Sequence, residues 1–269
     1  MEVAEGVELV LAPNPSLMTG SGTNSYVVWG PGDGCVVIDP GPDDEGHLAA
    51  LARLGAGHGE VRTILVTHGH PDHDAGAARL RALTGAPVLA WTFDGVASAD
   101  AMLADGEGVD AGGRQLVALY TPGHRFDHLC FHEPGAGVLF AGDLVAGAGT
   151  VVIAPPGGDL ADYLASLWRL RALDLRLILP AHGPAIDGPD ALLESYLHHR
   201  EQREAQVLAG LAAGDRGVDT LVARIYAGIE HALRPVAALS VTAHLEKLER
   251  EGRAVRGAGA GDADTWRLP

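Results

Sequence analysis

Lysine is almost missing from this 269-residue sequence: Lys247 is the only one. A Schiff-base lysine and a P-loop are therefore excluded from the first 246 residues. Residues 1–199 hold nine Arg against 25 Asp and Glu, a formal charge of −16, while residues 200–269 balance ten basic against ten acidic groups. The long first part offers no broad basic field for a polyanion, and its negative charge reads as a solvated surface. Scarce Lys beside abundant Ala, Gly and Arg points to a GC-rich bacterial genome. No run approaches the roughly 18 uncharged apolar residues of a membrane span. The acidic start, Met1–Glu2–Val3–Ala4–Glu5, lacks the basic and apolar regions of a secretory signal. The two cysteines, Cys35 and Cys130, sit inside apolar runs and read as buried free thiols. The expectation is a cytoplasmic protein with no membrane attachment.

What is present is a concentration of metal-binding side chains. Thr67–His68–Gly69–His70–Pro71–Asp72–His73–Asp74 follows the apolar, strand-like run Val61–Val66. Imidazole and carboxylate together are the ligand set of a borderline-soft divalent metal, zinc above all, with iron and manganese also compatible. His68 and His70 point to the same side of an extended end. Pro71 turns the chain before Asp72 and His73, so one short cluster feeds two adjacent metal positions.

The length allows one large domain and a small one. Strands are expected at Val7–Leu11, Pro87–Ala90, Gln115–Tyr120 and Leu175–Leu179, and hairpins at 26–38 and 129–141. Helices are expected at about 45–54 and 75–83, and after Asp159, where Leu160, Leu164, Leu167, Trp168 and Leu170 form the apolar face. Residues 94–113, rich in Gly, Ala and Asp, read as irregular. A long helix from Pro189 to about Leu211 is followed by two helices and two short strands joined by a Gly/Ala/Asp loop. The outline is an α/β layered domain over 1–200 and a winged-helix-like unit over 201–269.

Four separated places put His or Asp at the end of a strand: His68–His73, His124, Asp143 and His182. Catalytic groups gathered from strand ends are the usual construction of an active site on a sheet. The counts fit two metals: His68, His70 and His124 for the first, Asp72, His73 and His182 for the second, and Asp143 bridging. Asp72 is also placed to orient the attacking hydroxide. Asp39 and His128 are candidates for support behind the ligand histidines. Asn24, Thr150 and His199 are candidate substrate contacts. His47, His58, His132, His231 and His244 read as ordinary surface or edge residues.

His68–x–His70–x–Asp72–His73, Thr121–Pro122–Gly123–His124, Gly142–Asp143 and Pro180–Ala181–His182–Gly183 resemble the metallo-β-lactamase superfamily in order and spacing. Gly22–Thr23–Asn24–Ser25–Tyr26, Ile38–Asp39–Pro40–Gly41, Gly158–Asp159–Leu160–x–x–Tyr163, His199–Arg200–x–x–Arg203–Glu204 and the winged tail resemble its β-lactamase-like protein 2 type hydrolases. The resemblance implies an αββα sandwich and the ligand assignment above. Asp143 stands in the region where true zinc β-lactamases commonly have Cys. Together with the missing signal peptide and lysines, this argues against antibiotic hydrolysis. The expected enzyme is a binuclear zinc hydrolase with a metal-bridging hydroxide, acting on an ester or thioester of a small metabolite or carrier-bound acyl group. The alternative is an endoribonuclease of single-stranded RNA. The acidic first part favours the former, the winged tail and the family resemblance the latter.

Overall fold

The computed structural model describes residues 1–258 and 264–269. Seven strands form the first sheet in sequence order: β1 Glu2–Ala4, β2 Val7–Leu11, β3 Asn24–Trp29, β4 Cys35–Ile38, β5 Val61–Leu65, β6 Val88–Ala90 and β7 Ala101–Met102. Pairing is antiparallel from β1 to β4 and parallel from β4 to β7. The second sheet runs in the order β12, β11, β10, β9, β8, from β8 Gly108–Asp110, β9 Gln115–Tyr120, β10 Leu129–Glu133, β11 Val138–Gly142 and β12 Leu177–Pro180. The stretch 94–113, expected to be irregular, thus contains two short strands. Neither has an alternating apolar pattern, and both form by pairing with a stronger neighbour.

Period-two patterning separates the layers. Val28, Val36, Ile38 and Leu65 share one core with Ala118, Leu129, Phe131 and Phe140 of the second sheet. Their neighbours Val27, Cys35, Val37 and Ile64 pack the other way, with Leu48, Leu51 and Leu80 of α1 (Glu45–Ala56) and α3 (Ala77–Thr84). On the far face of the second sheet, Leu119, Cys130, Leu139 and Ala141 meet Tyr163, Leu167 and Leu170 of α4 (Leu160–Arg171). The result is the expected αββα sandwich, and both thiols are free and buried. Truncating a side chain such as Phe131, buried between the sheets, costs about 3–5 kcal/mol.

Caps fix the helix starts. Asp44 accepts the amide of His47 at 2.8 Å, and Asp159 accepts those of Ala161 and Asp162. The α4 face differs from expectation: Tyr163 is buried and Trp168 is 53% exposed. Position 168 lies too far round from Leu160, Tyr163, Leu167 and Leu170 to share their stripe, and Leu164 is only partly buried.

Helix α5 (Pro189–Ala212) runs past residue 200 without a break. Its first half places Leu193, Tyr196 and Leu197 in the core of the second sheet's outer face. Its second half places Val207 and Leu211 in a separate core with α6 (Val218–Ile225), α7 (Arg234–Arg250) and Trp266. The hairpin β13 (Val255–Ala258) and β14 (Asp264–Arg267) completes that unit. The expected Gly/Ala/Asp loop at 259–263 lies outside the described residues. Three histidines expected at the surface are buried: His47, His132 and His244. Among the described residues no helix is long and apolar enough to cross a membrane.

Candidate metal centre

Five strands end at one edge of the sandwich, and each hands over a polar residue there. β4 leads to Asp39, β5 to His68, β9 to His124, β11 to Asp143 and β12 to His182. A single helical turn, α2 (Pro71–Asp74), starts at Pro71 and presents Asp72 and His73. His68, His70, His124 and Asp143 each offer a ligand atom within 4.8 Å of the others, and Asp72, His73 and His182 form a second such group. Gly69, between the first two histidines, passes so close to Gly95 that a Cβ would lie 1.8 Å from its carbonyl oxygen. Gly123, before His124, has φ +133° and lies against the Tyr163 backbone, so it too admits no side chain.

The hydrogen bonds assign the tautomers. Asp39 accepts the Thr67 amide at 2.7 Å, the Thr67 hydroxyl at 2.8 Å and His73 Nδ1–H at 2.8 Å. The Thr67 hydroxyl proton is thereby used, so its oxygen accepts from His68 Nδ1–H at 3.0 Å. His124 Nδ1–H donates to the Val152 carbonyl at 2.9 Å. The Nε2 atoms of His68, His73 and His124 therefore face inward. His68 Nε2 and His124 Nε2 lie 2.8 and 3.1 Å from His70 Nδ1. A proton on His70 Nδ1 satisfies only one of them. The buried Nε2 of His73 has no hydrogen-bond partner. Converging ring nitrogens, one of them orphaned, fit cations at the centre.

Asp143 spans both groups. Its Oδ2 lies 3.6 Å from His124 Nε2, and its Oδ1 lies 3.2 Å from His182 Nε2 and 3.6 Å from His73 Nε2. Asp72 Oδ2 is 3.3 Å from His182 Nε2. Charge divides the centre the same way. Burial, then the charges of His73 and His124, hold His68 well below the ordinary imidazole range. Burial, His124 and Arg125 bring His70 down to about 4, and burial lowers His124 against the pull of Asp143. In the second group burial is overcome: Asp143 and Asp39 raise His73 well above its usual range, and hydrogen bonds to Asp143 and Asp72 raise His182 to about 9. Burial would raise Asp143, but His73 and His182 hold it well below the carboxylate range. The three histidines of the first group are thus held toward the neutral form, and the two of the second toward the protonated form by the carboxylates beside them.

The supporting residues have distinct tasks. Asp39 adopts φ +50°, the one positive-φ residue other than glycine among the described residues. This conformation costs on the order of 1–3 kcal/mol and aims both carboxylate oxygens at Thr67 and His73. His128 Nε2 accepts the Asp143 amide at 3.1 Å, and its Nδ1 is 3.0 Å from the Thr121 hydroxyl. Asp127 escaped the sequence reading. Buried, it accepts the Gly69 amide at 2.9 Å and pairs with Arg125 at 2.7 Å, fixing the backbone between His68 and His70. The only trace of this in the sequence is its place between two other polar site residues, Arg125 and His128.

The candidate substrate contacts separate. Thr150 lines a cleft of about 400 Å³ that includes His124, Asp143 and His182. Asn24, expected to touch substrate, is buried and does not line the cleft. Its amide donates to the carbonyls of Pro180 and Gly183 and anchors the loop carrying His182. His199 lines a neighbouring cavity rather than the cleft itself.

Paired histidine and aspartate groups at strand ends of an αββα sandwich define the metallo-hydrolase class. Residues 18–182 match the metallo-beta-lactamase superfamily model, and residues 218–266 match that of the beta-lactamase associated winged helix domain. The chain belongs to the metallo-β-lactamase superfamily. It is 32% identical to the beta-lactamase-like protein 2 homolog of Drosophila melanogaster, over 91% of this chain and 88% of that one. It is 33% identical to an atrochrysone carboxyl ACP thioesterase of Aspergillus fumigatus, over 75% of this chain and 64% of that protein. The chain spans 64–65% of the length of that thioesterase and of the lactamase-like protein adaB of Aspergillus niger. A metallo-beta-lactamase family protein from Thermus thermophilus superposes with a TM-score of 0.81 at 25% identity, with both chains fully covered.

Proposed function

We propose that this protein is a binuclear, zinc-dependent hydrolase of an ester or thioester, acting on a small metabolite or a carrier-bound acyl group. Residues 1–200 form its catalytic part and 201–269 its winged-helix part. The observation that carries this reading is the mouth of the cleft. Leu17 and Met18, 80% and 59% exposed, line it together with Leu233 and Val236. Such a rim suits an acyl chain and offers nothing to a phosphate backbone. Arg253 and Arg256 of the tail are engaged by Glu204, Glu251, Glu246, Glu249 and Asp264, which leaves them unsuited to an RNA track. The thioesterase among the relatives supports the same substrate class.

His68, His70 and His124 would hold one ion, Asp72, His73 and His182 the other, and Asp143 both. When bound, a pair of divalent ions supplies Lewis acidity and a water activated near neutral pH. Asp39 keeps the proton of His73 on Nδ1 and so leaves Nε2 as the ligand atom. Asp72, 28% exposed and with only Oδ2 against His182, has a carboxylate oxygen free to orient the water and take its proton. Hydrolysis joins the water oxygen to the acyl carbon, breaks the C–S or C–O bond, and returns a proton to the departing thiolate or alkoxide.

Purified protein is expected to hold about two metal ions per chain. It should hydrolyse acyl thioesters in a chelator-sensitive way, and His70→Ala should remove that activity. A metal-free chain whose hydrolysis is indifferent to His70→Ala would sink the reading. Elemental analysis distinguishes zinc from iron and manganese.

A further inference from the structure

Beside the cleft lies a second cavity of about 220 Å³, and the two share Thr150, Val151, Val152, Leu233 and Val236. Its other wall carries His199, Arg200 and Arg203 from α5, and Tyr226. Arg200 is 3% exposed; its Nη2 donates to the Val151 carbonyl, and its Nε has no partner. The Arg203 guanidinium lies 4.3 Å from the Tyr226 ring centroid and donates to Gln206 at 2.7 Å and to His199 Nε2 at 3.3 Å. Its Nε and the Nδ1 of His199 are buried and unpartnered. Among the described residues no carboxylate lies within 4.0 Å of either guanidinium. The nearby cations Lys247 and Arg253 are, by contrast, paired with Glu204 and Glu251. Holding two cations at a cavity without counter-charge is unfavourable until an anion enters.

We propose that this cavity binds a phosphate carried on the thiol arm of the thioester hydrolysed at the neighbouring metal centre. The proposal rests on the thioester reading above. Arginine presents planar, multiple donors that match phosphate oxygens. Between the two ends the shared wall is apolar, Val151, Leu233 and Val236, which suits a flexible and largely neutral arm. A nucleic-acid backbone would bring charge along the whole path and call for a continuous basic track.

The test uses the metal-loaded full chain and two thioesters of one acyl group, S-acyl-pantetheine with and without its 4′-phosphate. We expect kcat/KM to be on the order of tenfold higher with the phosphate, mainly through KM, and Arg203→Met to erase that ratio. His199→Gln should reduce it, and Arg203→Lys should restore part of it. Equal kcat/KM for the two substrates in the wild type overturns the phosphate site while leaving thioester hydrolysis standing. Calorimetric titration with inorganic phosphate separates the other failure. Phosphate bound by the wild type and not by Arg203→Met, with no thioester turned over, overturns the thiol-arm occupant and retains the anion site. Chelator-sensitive RNA cleavage slowed by Arg203→Met, with thioesters untouched, overturns the occupant in favour of a nucleic acid.

Discussion

Two regions of this molecule bury histidines, and they surround them with opposite charges. At the strand ends, His68, His70, His73, His124 and His182 lie among Asp39, Asp72 and Asp143. At the seam of α5 and α7, His244 lies buried among Arg200, Lys247, Arg203 and His199, and neither of its ring nitrogens has a hydrogen-bond partner. Carboxylates raise His73 and His182, whereas burial followed by the neighbouring cations drives His244 down to about 3. The ring is the same; the company decides whether the pocket calls for a cation or rejects a proton.

The largest effect should come from breaking the first region at its bridge. Asp143→Asn removes charge from both ligand groups, and metal content and hydrolysis should fall together by more than roughly 100-fold, read by elemental analysis and turnover. Asp39→Asn is milder. Asn tolerates the left-handed backbone at this position, but loses the charge behind His73. Metal affinity should drop about 10–100-fold with the fold retained, as chelator competition will show.

The second region responds to acid. The unfolded chain protonates His244 near pH 6.5, and the folded chain not until about 3. Between those values the unfolded state binds more protons, so stability falls as pH falls, by up to about 1.4 kcal/mol per unit. His244→Leu should flatten that slope in denaturant titrations from pH 6.5 to 4; an unchanged slope would place the acid sensitivity elsewhere. Glu204→Gln should be the smallest change. Lys247 and Arg253 hold its carboxyl below the usual range against the effect of burial. Its stabilisation is thus present above about pH 4.5 and disappears in stronger acid. Loss of about 1 kcal/mol at pH 7 is expected in thermal unfolding, shrinking as pH falls below about 4.5.

The first region was far more legible in the sequence than the second. His68, His124, Asp143 and His182 each follow an apolar strand, so their meeting at one edge could be anticipated from strand direction. Asp127 could not: its role is to hold an amide 58 positions away, at Gly69. Asn24 sits at the start of an apolar strand, and only the loop that folds over it decides that its amide is an internal tether. Trp168 was misplaced because an apolar residue one step off a helical stripe still looks like part of it. The strands β7 and β8, two and three residues long, are too short to be read locally. At the seam, Arg200 and His244 are residue types expected in water, and their burial follows from packing two units onto one helix.

The segment between the two cavities makes a concrete link. The Val151 carbonyl accepts from Arg200, and the next carbonyl, Val152, accepts from His124. One covalent step, about 3.8 Å from Cα to Cα, therefore joins a guanidinium of the second wall to an imidazole of the metal centre. The backbone here acts as a gauge block: the spacing of the two carbonyl anchors is set by bonds, so the Arg200 and His124 contacts move together.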